Sequence, residues 1–283
     1  MMNIEKDRES FSVLMSTYIK DNPVFLSEAL GSLSVQTLLP NEVVLVLDGP
    51  IPDETHQVIK KFVDLGCLNI KVCALSENKG LGEALAYGLN QTSYDLVARM
   101  DADDIAKPER FEKQITFLVE HPEVDILGSW VDEFSDNPQL IDRVKTVPQT
   151  HQEIAHYLCR RNPINHPTVL FRKNSVLAVG NYQDFYLNED YYLWIRMYKN
   201  GAQFYNLNES LVYFRVSQDT YRKRGGIKYF KQDIVLQKAL YHIGLINKGM
   251  MFLNLLLRLP VRLTPNIVRE RLYKVFLRKQ LVN

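Results

Sequence analysis

Four short apolar runs, each ending in polar residues, constrain this chain more than any other feature. Phe11–Thr17 (FSVLMST), Glu42–Leu47 (EVVLVL), Ile70–Leu75 and Asp95–Met100 (DLVARM) read as strands, rich in β-formers and bounded by turn-forming or charged residues. Helix signals fall between them. Asp21-Asn22-Pro23 opens one helix that continues to about Val35, and Pro52-Asp53-Glu54 opens another that stops at Leu65, before Gly66. Gly80–Leu89 reads as a third. Strand and helix alternating at such short spacing predict an α/β fold, a mostly parallel sheet flanked by helices. The runs are continuously apolar because both faces of such a sheet are covered. Ligands bind at the carboxyl ends of these strands. Three polar clusters fall there: Ser16-Thr17-Tyr18, Asp48-Gly49 and Asp101 to Asp104.

Beyond Pro108 the pattern predicts a helix to about Glu120, one or two strands within Val124–Phe134, a helix over Asn188–Asn200 and a strand pair over Ala202–Val216. Residues 139–187 give no clear pattern, and from Tyr221 the chain reads as helical and basic. Residues 221–283 hold 14 Lys and Arg against only Asp233 and Glu270, whereas the rest of the chain holds 20 basic and 31 acidic residues. We therefore divide the 283 residues into a body, 1–220, and a basic helical extension, 221–283. Apolar runs interleaved with the basic residues favour a membrane surface over nucleic acid as its partner. A solvated helical cap packed on the body explains the same composition equally well. No stretch approaches the ~20 apolar residues of a membrane span; the nearest, Met250–Leu259, is broken by Asn254 and Arg258. Cys67, Cys73 and Cys159 form no Cys-x-x-Cys pair and are odd in number, which fits a reducing compartment. The polar start, Met1 to Glu9, has no apolar signal segment, so a cytoplasmic location is expected.

The chemistry centres on Arg99-Met100-Asp101-Ala102-Asp103-Asp104. Three carboxylates in four residues repel one another unless a cation relieves them. Such hard oxygen donors suit Mn²⁺ or Mg²⁺, metals commonly shared with substrate phosphates. On composition alone a solvated acidic turn before the Pro108 helix reads nearly as well; the position after a buried strand, beside two other polar strand ends, favours a site. Asn188-Glu189-Asp190 opens a helix, where a carboxylate can serve as general base if it faces a cleft. Acidic residues at a helix start are also ordinary complements of the helix dipole, and these residues alone favour that explanation. Asp48-Gly49 is either a ribose or base acceptor or simple turn chemistry. Asn78-Lys79-Gly80-Leu81-Gly82 lacks the third glycine of a dinucleotide loop. His166-Pro167 stands in mixed surroundings that fit a site, although a lone histidine is more often structural.

Taken in order, SVLMSTY, EVVLVLDG, ENKGLGEAL, RMDADD and NEDYYLW resemble the family 2 inverting glycosyltransferases of the GT-A fold, over roughly residues 10–215. NPINHPTVLFRK (162–173) and YRKRGGIKYF (221–230) resemble those that build O-antigen or exopolysaccharide (amylovoran-type) repeat units. The resemblance implies that Thr17, Tyr18 and Asp48 hold the uridine of a UDP-sugar donor, with Lys79 among the donor-binding residues. It implies that Asp101 and Asp103 serve the metal and diphosphate, Asp103 as the direct ligand, and that Asp190 is the catalytic base. Asp104, Glu189, His166 and Trp194 are expected along the active-site wall. The implied reaction moves a hexose, glucose before galactose, to a polyprenyl-diphosphate-linked saccharide, with GlcNAc as the first sugar, at the cytoplasmic face of the membrane.

Three other classes fit less well. A haloacid-dehalogenase-like phosphatase also has Asp-x-Asp after a strand, but after the first strand rather than the fourth. A sugar-nucleotide synthase carries a glycine-rich first loop, which Ser16 to Lys20 lacks. A non-catalytic membrane-associated scaffold of the same fold is opposed by three intact acidic motifs.

Overall fold

A computed structural model describes residues 9–216 and 226–264. The four expected strands form a parallel set. They are β1 (Phe11–Thr17), β2 (Glu42–Leu47), β3 (Ile70–Ala74) and β4 (Leu96–Arg99), in the order β3-β2-β1-β4. Helices α1 (Pro23–Ser34), α2 (Asp53–Leu65) and α3 (Leu81–Gln91) connect them. The local signals operate as read. Asn22 caps α1 by accepting from the Val24 N–H at 2.9 Å, and Pro23 occupies its first turn. Gly66 ends α2 in the left-handed conformation, with φ 64°.

Beyond β4 come β5 (Ile105–Ala106), α4 (Arg110–Glu120), β6 (Ile126–Phe134) and β7 (Arg143–Lys145). Then follow α5 (His151–Leu158), a single 3₁₀ turn (His166–Thr168), β8 (Leu170–Arg172) and α6 (Lys173–Leu177). Helix α7 (Glu189–Lys199), β9 (Phe204–Arg215), α8 (Gly226–His242) and α9 (Lys248–Leu263) complete the described elements. All nine strands join one sheet, which continues from β4 through β8, β6 and β9 to β5, with β7 beside β6. Strand β8 runs antiparallel between β4 and β6, while β6 and β9 are parallel.

Alternation along β1 and β2 separates two cores. Leu14, Val44 and Val46 pack with α3, α5, α7 and α8 on one face, while Phe11, Val13, Met15, Val43 and Leu45 pack with α1, α2 and α4 on the other. The expected strand pair over Ala202–Val216 is instead one twelve-residue strand, β9. It looks interrupted in sequence because its register with β6 shifts on both sides of Trp130, where Ser129 pairs with Leu207, Trp130 with Ser210 and Val131 with Val212. Residues 221–225 and 265–283 of the basic extension lie outside the described residues.

Candidate active site

Strand β1 lies between β2 and β4, so the chain leaves it to one side and returns on the other. At such a reversal a crevice opens beyond the carboxyl ends of the strands. Thr17, the last residue of β1, is buried there, and its hydroxyl has no hydrogen-bond partner among the described residues. Tyr18 follows, its N–H donating to the Asp21 carboxylate at 3.1 Å. Burial raises its phenol above the usual range, with Asp21 and Asp103 adding to the effect.

Asp48, at the end of β2, is engaged by the loop that starts α3. It is 5% exposed, and its carboxylate accepts from the backbone N–H of Lys79 at 2.7 Å and Gly80 at 3.0 Å and from the Asn78 side chain at 2.9 Å. These bonds fix the loop that starts α3, so Asp48 shapes this side of the pocket through the loop. Lys79 is held by its backbone, and its side chain is exposed. Gly49 makes this packing attainable. Its φ is +84°, and a Cβ there would stand 2.5 Å from the Asn78 nitrogen.

The acidic turn follows β4. One carboxylate oxygen from each of Asp101, Asp103 and Asp104 lies within 4.8 Å of the others. Arg99, 2% exposed, pairs with Asp101, while its Nε and Nη1 have no partner among the described residues. Asp104 is fully buried; Oδ1 accepts from the Arg215 N–H at 2.9 Å, and Oδ2 has no partner among the described residues. Arg215 also donates from Nε to the Asp103 carbonyl at 2.9 Å and pairs with Glu28, so the end of β9 closes the turn. Although part of Asp103 opens to solvent, the protein crowded around it pushes its carboxyl up to about 7, helped by Asp101 and Asp21 and opposed by Arg99. Burial, then Asp101 and Asp103, raises Asp104 further above the usual range. Crowded hard oxygens and an orphaned buried carboxylate oxygen are the donor set that a divalent cation fits.

The second acidic pair opens α7. Asp190 accepts from the Asn162 side chain at 2.6 Å and from the Tyr191 N–H at 2.6 Å. Burial raises its carboxyl, while these two bonds and Arg99 hold it down in part. Burial pushes Glu189 up to about 7, with Asp190 the next largest cause and Arg99 opposing. Gly82 lets α3 lie against this helix start, since a Cβ there would meet the Gln183 carbonyl at 3.0 Å and Glu189 Cβ at 3.3 Å. His166 meets the Tyr182 hydroxyl at 3.0 Å, and burial holds it well below its usual range, so it is neutral. Trp194 is not a wall residue. It is fully buried in the core and packs edge-on against His166, 6.0 Å between centroids.

The structure thus gathers Tyr18, the acidic turn, Glu189 and Asp190 around one buried guanidinium. Arg99, Arg215 and Asn162 escaped the sequence reading. Arg99 had a visible signal, a charge inside an apolar strand, which must find a partner. Arg215 and Asn162 had none, because each acts across more than 25 residues.

The sequence model of glycosyl transferase family 2 matches residues 12–180. The chain is 42% identical over 273 residues, 96% of its length and 98% of the relative's, to the UDP-Gal:alpha-D-GlcNAc-diphosphoundecaprenol beta-1,3-galactosyltransferase of Escherichia coli. It is 39% identical over 267 residues, 93% of its length and 98% of the relative's, to the amylovoran biosynthesis glycosyltransferase AmsE of Erwinia amylovora. Among solved structures, the mannosyltransferase PcManGT from Pyrobaculum calidifontis, in complex with GDP-Man and Mn²⁺, shares the fold with a TM-score of 0.65. That match spans 96% of this chain and 76% of the other at 14% identity.

Proposed function

This chain belongs to glycosyl transferase family 2 and has the GT-A fold, and from that premise we propose that it transfers galactose from UDP-galactose to a polyprenyl-diphosphate-linked saccharide, forming a β linkage. The observation that carries the proposal is the convergence of the acidic turn after β4 and of Asp190 on Arg99. The full-length likeness to the Escherichia coli galactosyltransferase moves galactose ahead of glucose as donor and supports a GlcNAc-diphosphate-lipid acceptor.

Thr17 and Tyr18 would hold the uridine, beside the loop that Asp48 orders. Asp101, Asp103 and Asp104 would hold Mn²⁺ or Mg²⁺, which when bound neutralises charge developing on the leaving diphosphate. Asp190 takes the proton of the acceptor hydroxyl. Its raised pKa brings it toward the pH at which a general base is most effective. Asn162 and the Tyr191 N–H occupy one lone pair on each oxygen and fix the carboxylate's orientation. A single displacement at the anomeric carbon inverts it, so an α-linked UDP-sugar gives a β-linked product.

The nucleotide-sugar donor and the lipid-linked acceptor meet at the cytoplasmic face of the cell membrane, where we place the enzyme as a peripheral protein. Among the described residues no helix is long and apolar enough to cross a membrane. Residues 1–220 form the transferase unit in this proposal and 221–283 its basic extension. Leu236 and Leu240 of α8 enter the core that holds α7, which supports a packed start to that extension.

The test is transfer from UDP-galactose, UDP-glucose and their N-acetyl forms to a synthetic GlcNAc-diphosphate-lipid, with Mn²⁺, Mg²⁺ or chelator. A β-linked product from UDP-galactose that disappears in chelator is expected. An α-linked product would remove the single displacement, and full activity in chelator would remove the metal. Absence of product with every donor would overturn the acceptor class.

A further inference from the structure

Helix α9 (Lys248–Leu263) packs Met250 and Met251 of its first turn against the core, but beyond them its polarity is reversed. Its inward row is Asn254, Arg258 and Arg262, four residues apart and therefore on one face. Asn254 donates to the Cys159 carbonyl at 2.9 Å and to Gln237 at 2.8 Å. Arg258 and Arg262 both pair with the buried Asp233 of α8; Arg258 also reaches the Arg160 carbonyl at 2.7 Å, and Arg262 lies over the Tyr229 ring. The outward side carries Phe252, Leu253, Leu256, Leu257 and Leu263, each between 49% and 68% exposed. A helix at a water-facing surface shows the opposite arrangement, apolar inward and charged outward. Five large apolar side chains on one short helix form a patch that marks an interaction surface.

The chemistry around the patch selects its partner. Lys228, Lys231, Lys238 and Lys248 are exposed on α8 and at the start of α9. The whole segment 221–283 carries 14 basic residues against two acidic ones. A second copy of the chain would bring a like charge against it, whereas an anionic lipid surface complements it. At ~1.5 Å per residue the 16 residues of α9 reach ~24 Å, short of the ~30 Å hydrocarbon layer. Its two arginines are moreover committed to Asp233. Such a helix lies in the plane of the interface and does not cross it.

We propose that α9 is a preformed membrane-docking face, whose outward row from Phe252 to Leu263 enters the acyl boundary of an anionic bilayer while the Asp233–Arg258–Arg262 cluster holds it to the body. This deepens the peripheral location proposed above but stands on the polarity of one helix, so its test uses no sugar. The full chain and a Phe252→Ser/Leu256→Ser/Leu257→Ser variant are sedimented with phosphatidylcholine vesicles, with and without phosphatidylglycerol. Melting temperature and solution mass are measured on the same samples. The parent is expected to pellet with the phosphatidylglycerol vesicles, and the variant to lose about tenfold or more of that binding with its melting temperature unchanged. Equal binding by the variant would overturn the proposal, as would a parent that stays in solution. A parent dimer that the three substitutions turn into a monomer would also overturn it, since a second copy would then be the occupant. So would a chain that binds vesicles only after residues 265–283 are deleted, because its own tail would then cover the row.

Discussion

Glu189→Gln offers a test of the site's electrostatics that needs no substrate. Burial, and then Asp190, raises the Glu189 carboxyl from its ordinary 4.5 to about 7. Between those values the folded protein keeps a proton that the unfolded chain has released. Stability therefore falls as pH rises across this interval, and the loss is complete above the folded value. At ~1.4 kcal/mol for each pH unit, the rise from 4.5 to about 7 sets a ceiling of roughly 3 kcal/mol. Partial exposure of the side chain and its interaction with Asp190 bring this to about 1–3 kcal/mol. Glutamine keeps the shape and removes the charge. In chelator at pH 8 the variant should melt about 3–8 °C above the parent, and the gap should shrink toward pH 5. An equal or lower melting temperature at pH 8, or a gap that widens toward pH 5, would refute the picture of carboxylates crowded beyond what Arg99 relieves.

Asp190→Asn should lower kcat by about 10²–10⁴ with donor KM changed little, the pattern of a lost general base; steady-state kinetics with unaltered kcat would remove Asp190 from the chemistry. Gly49→Ala forces an L side chain into φ +84° and against the Asn78 backbone, so donor affinity and thermal stability should fall together, the latter by about 1–3 kcal/mol; calorimetry and nucleotide titration check both. Asp233→Ala strips Arg258 and Arg262 of their shared carboxylate, which should cost about 3–5 kcal/mol and loosen α9, seen as faster proteolysis within 248–263.

The parallel half of the fold was legible because its signals are local. Each strand is a continuous apolar run, each helix has its own cap or stop, and the acids at the strand ends follow from the same pattern. Residues 139–187 were not legible, because what holds them is distant. The three residues of β8 are a strand only by virtue of β4 on one side and β6 on the other. In the site, the acids were legible at the strand and helix ends, but the partners that hold them were not. Asp48 reads as a strand-end acceptor, yet three donors from the loop 78–80 occupy it. Trp194 shares its helix with Asp190, but the helical turn carries it into the core. Periodicity shows that α9 has an apolar and a basic stripe without saying which faces the protein. The usual assumption, apolar inward, gives the wrong answer there because Asp233 waits on α8 for the arginines.

Arg99 explains how segments some ninety residues apart come to form one acidic site. Asp101, Asp103 and Asp104 arrive on the turn after β4, Glu189 and Asp190 on α7, and bringing five carboxylates together is unfavourable without positive charge. Beside the fully buried Arg110, which couples to Asp101 and Asp104, the protein supplies Arg99, a buried guanidinium whose field opposes the rise of Asp103, Asp104, Glu189 and Asp190 alike. It sits in the last residue of a buried strand, where its carbonyl accepts from Arg110 at 2.7 Å and its own N–H donates to Val169 at 2.8 Å, so the charge cannot swing away. Two buried guanidiniums among five acids leave the site short of positive charge. Burial first, and that shortage second, raise Asp103 and Glu189 to about 7. A site proposed to receive a divalent cation with a diphosphate has reason to stay short. Further fixed positive charge would relieve the acids before any ligand arrived and weaken the electrostatic drive for binding a metal.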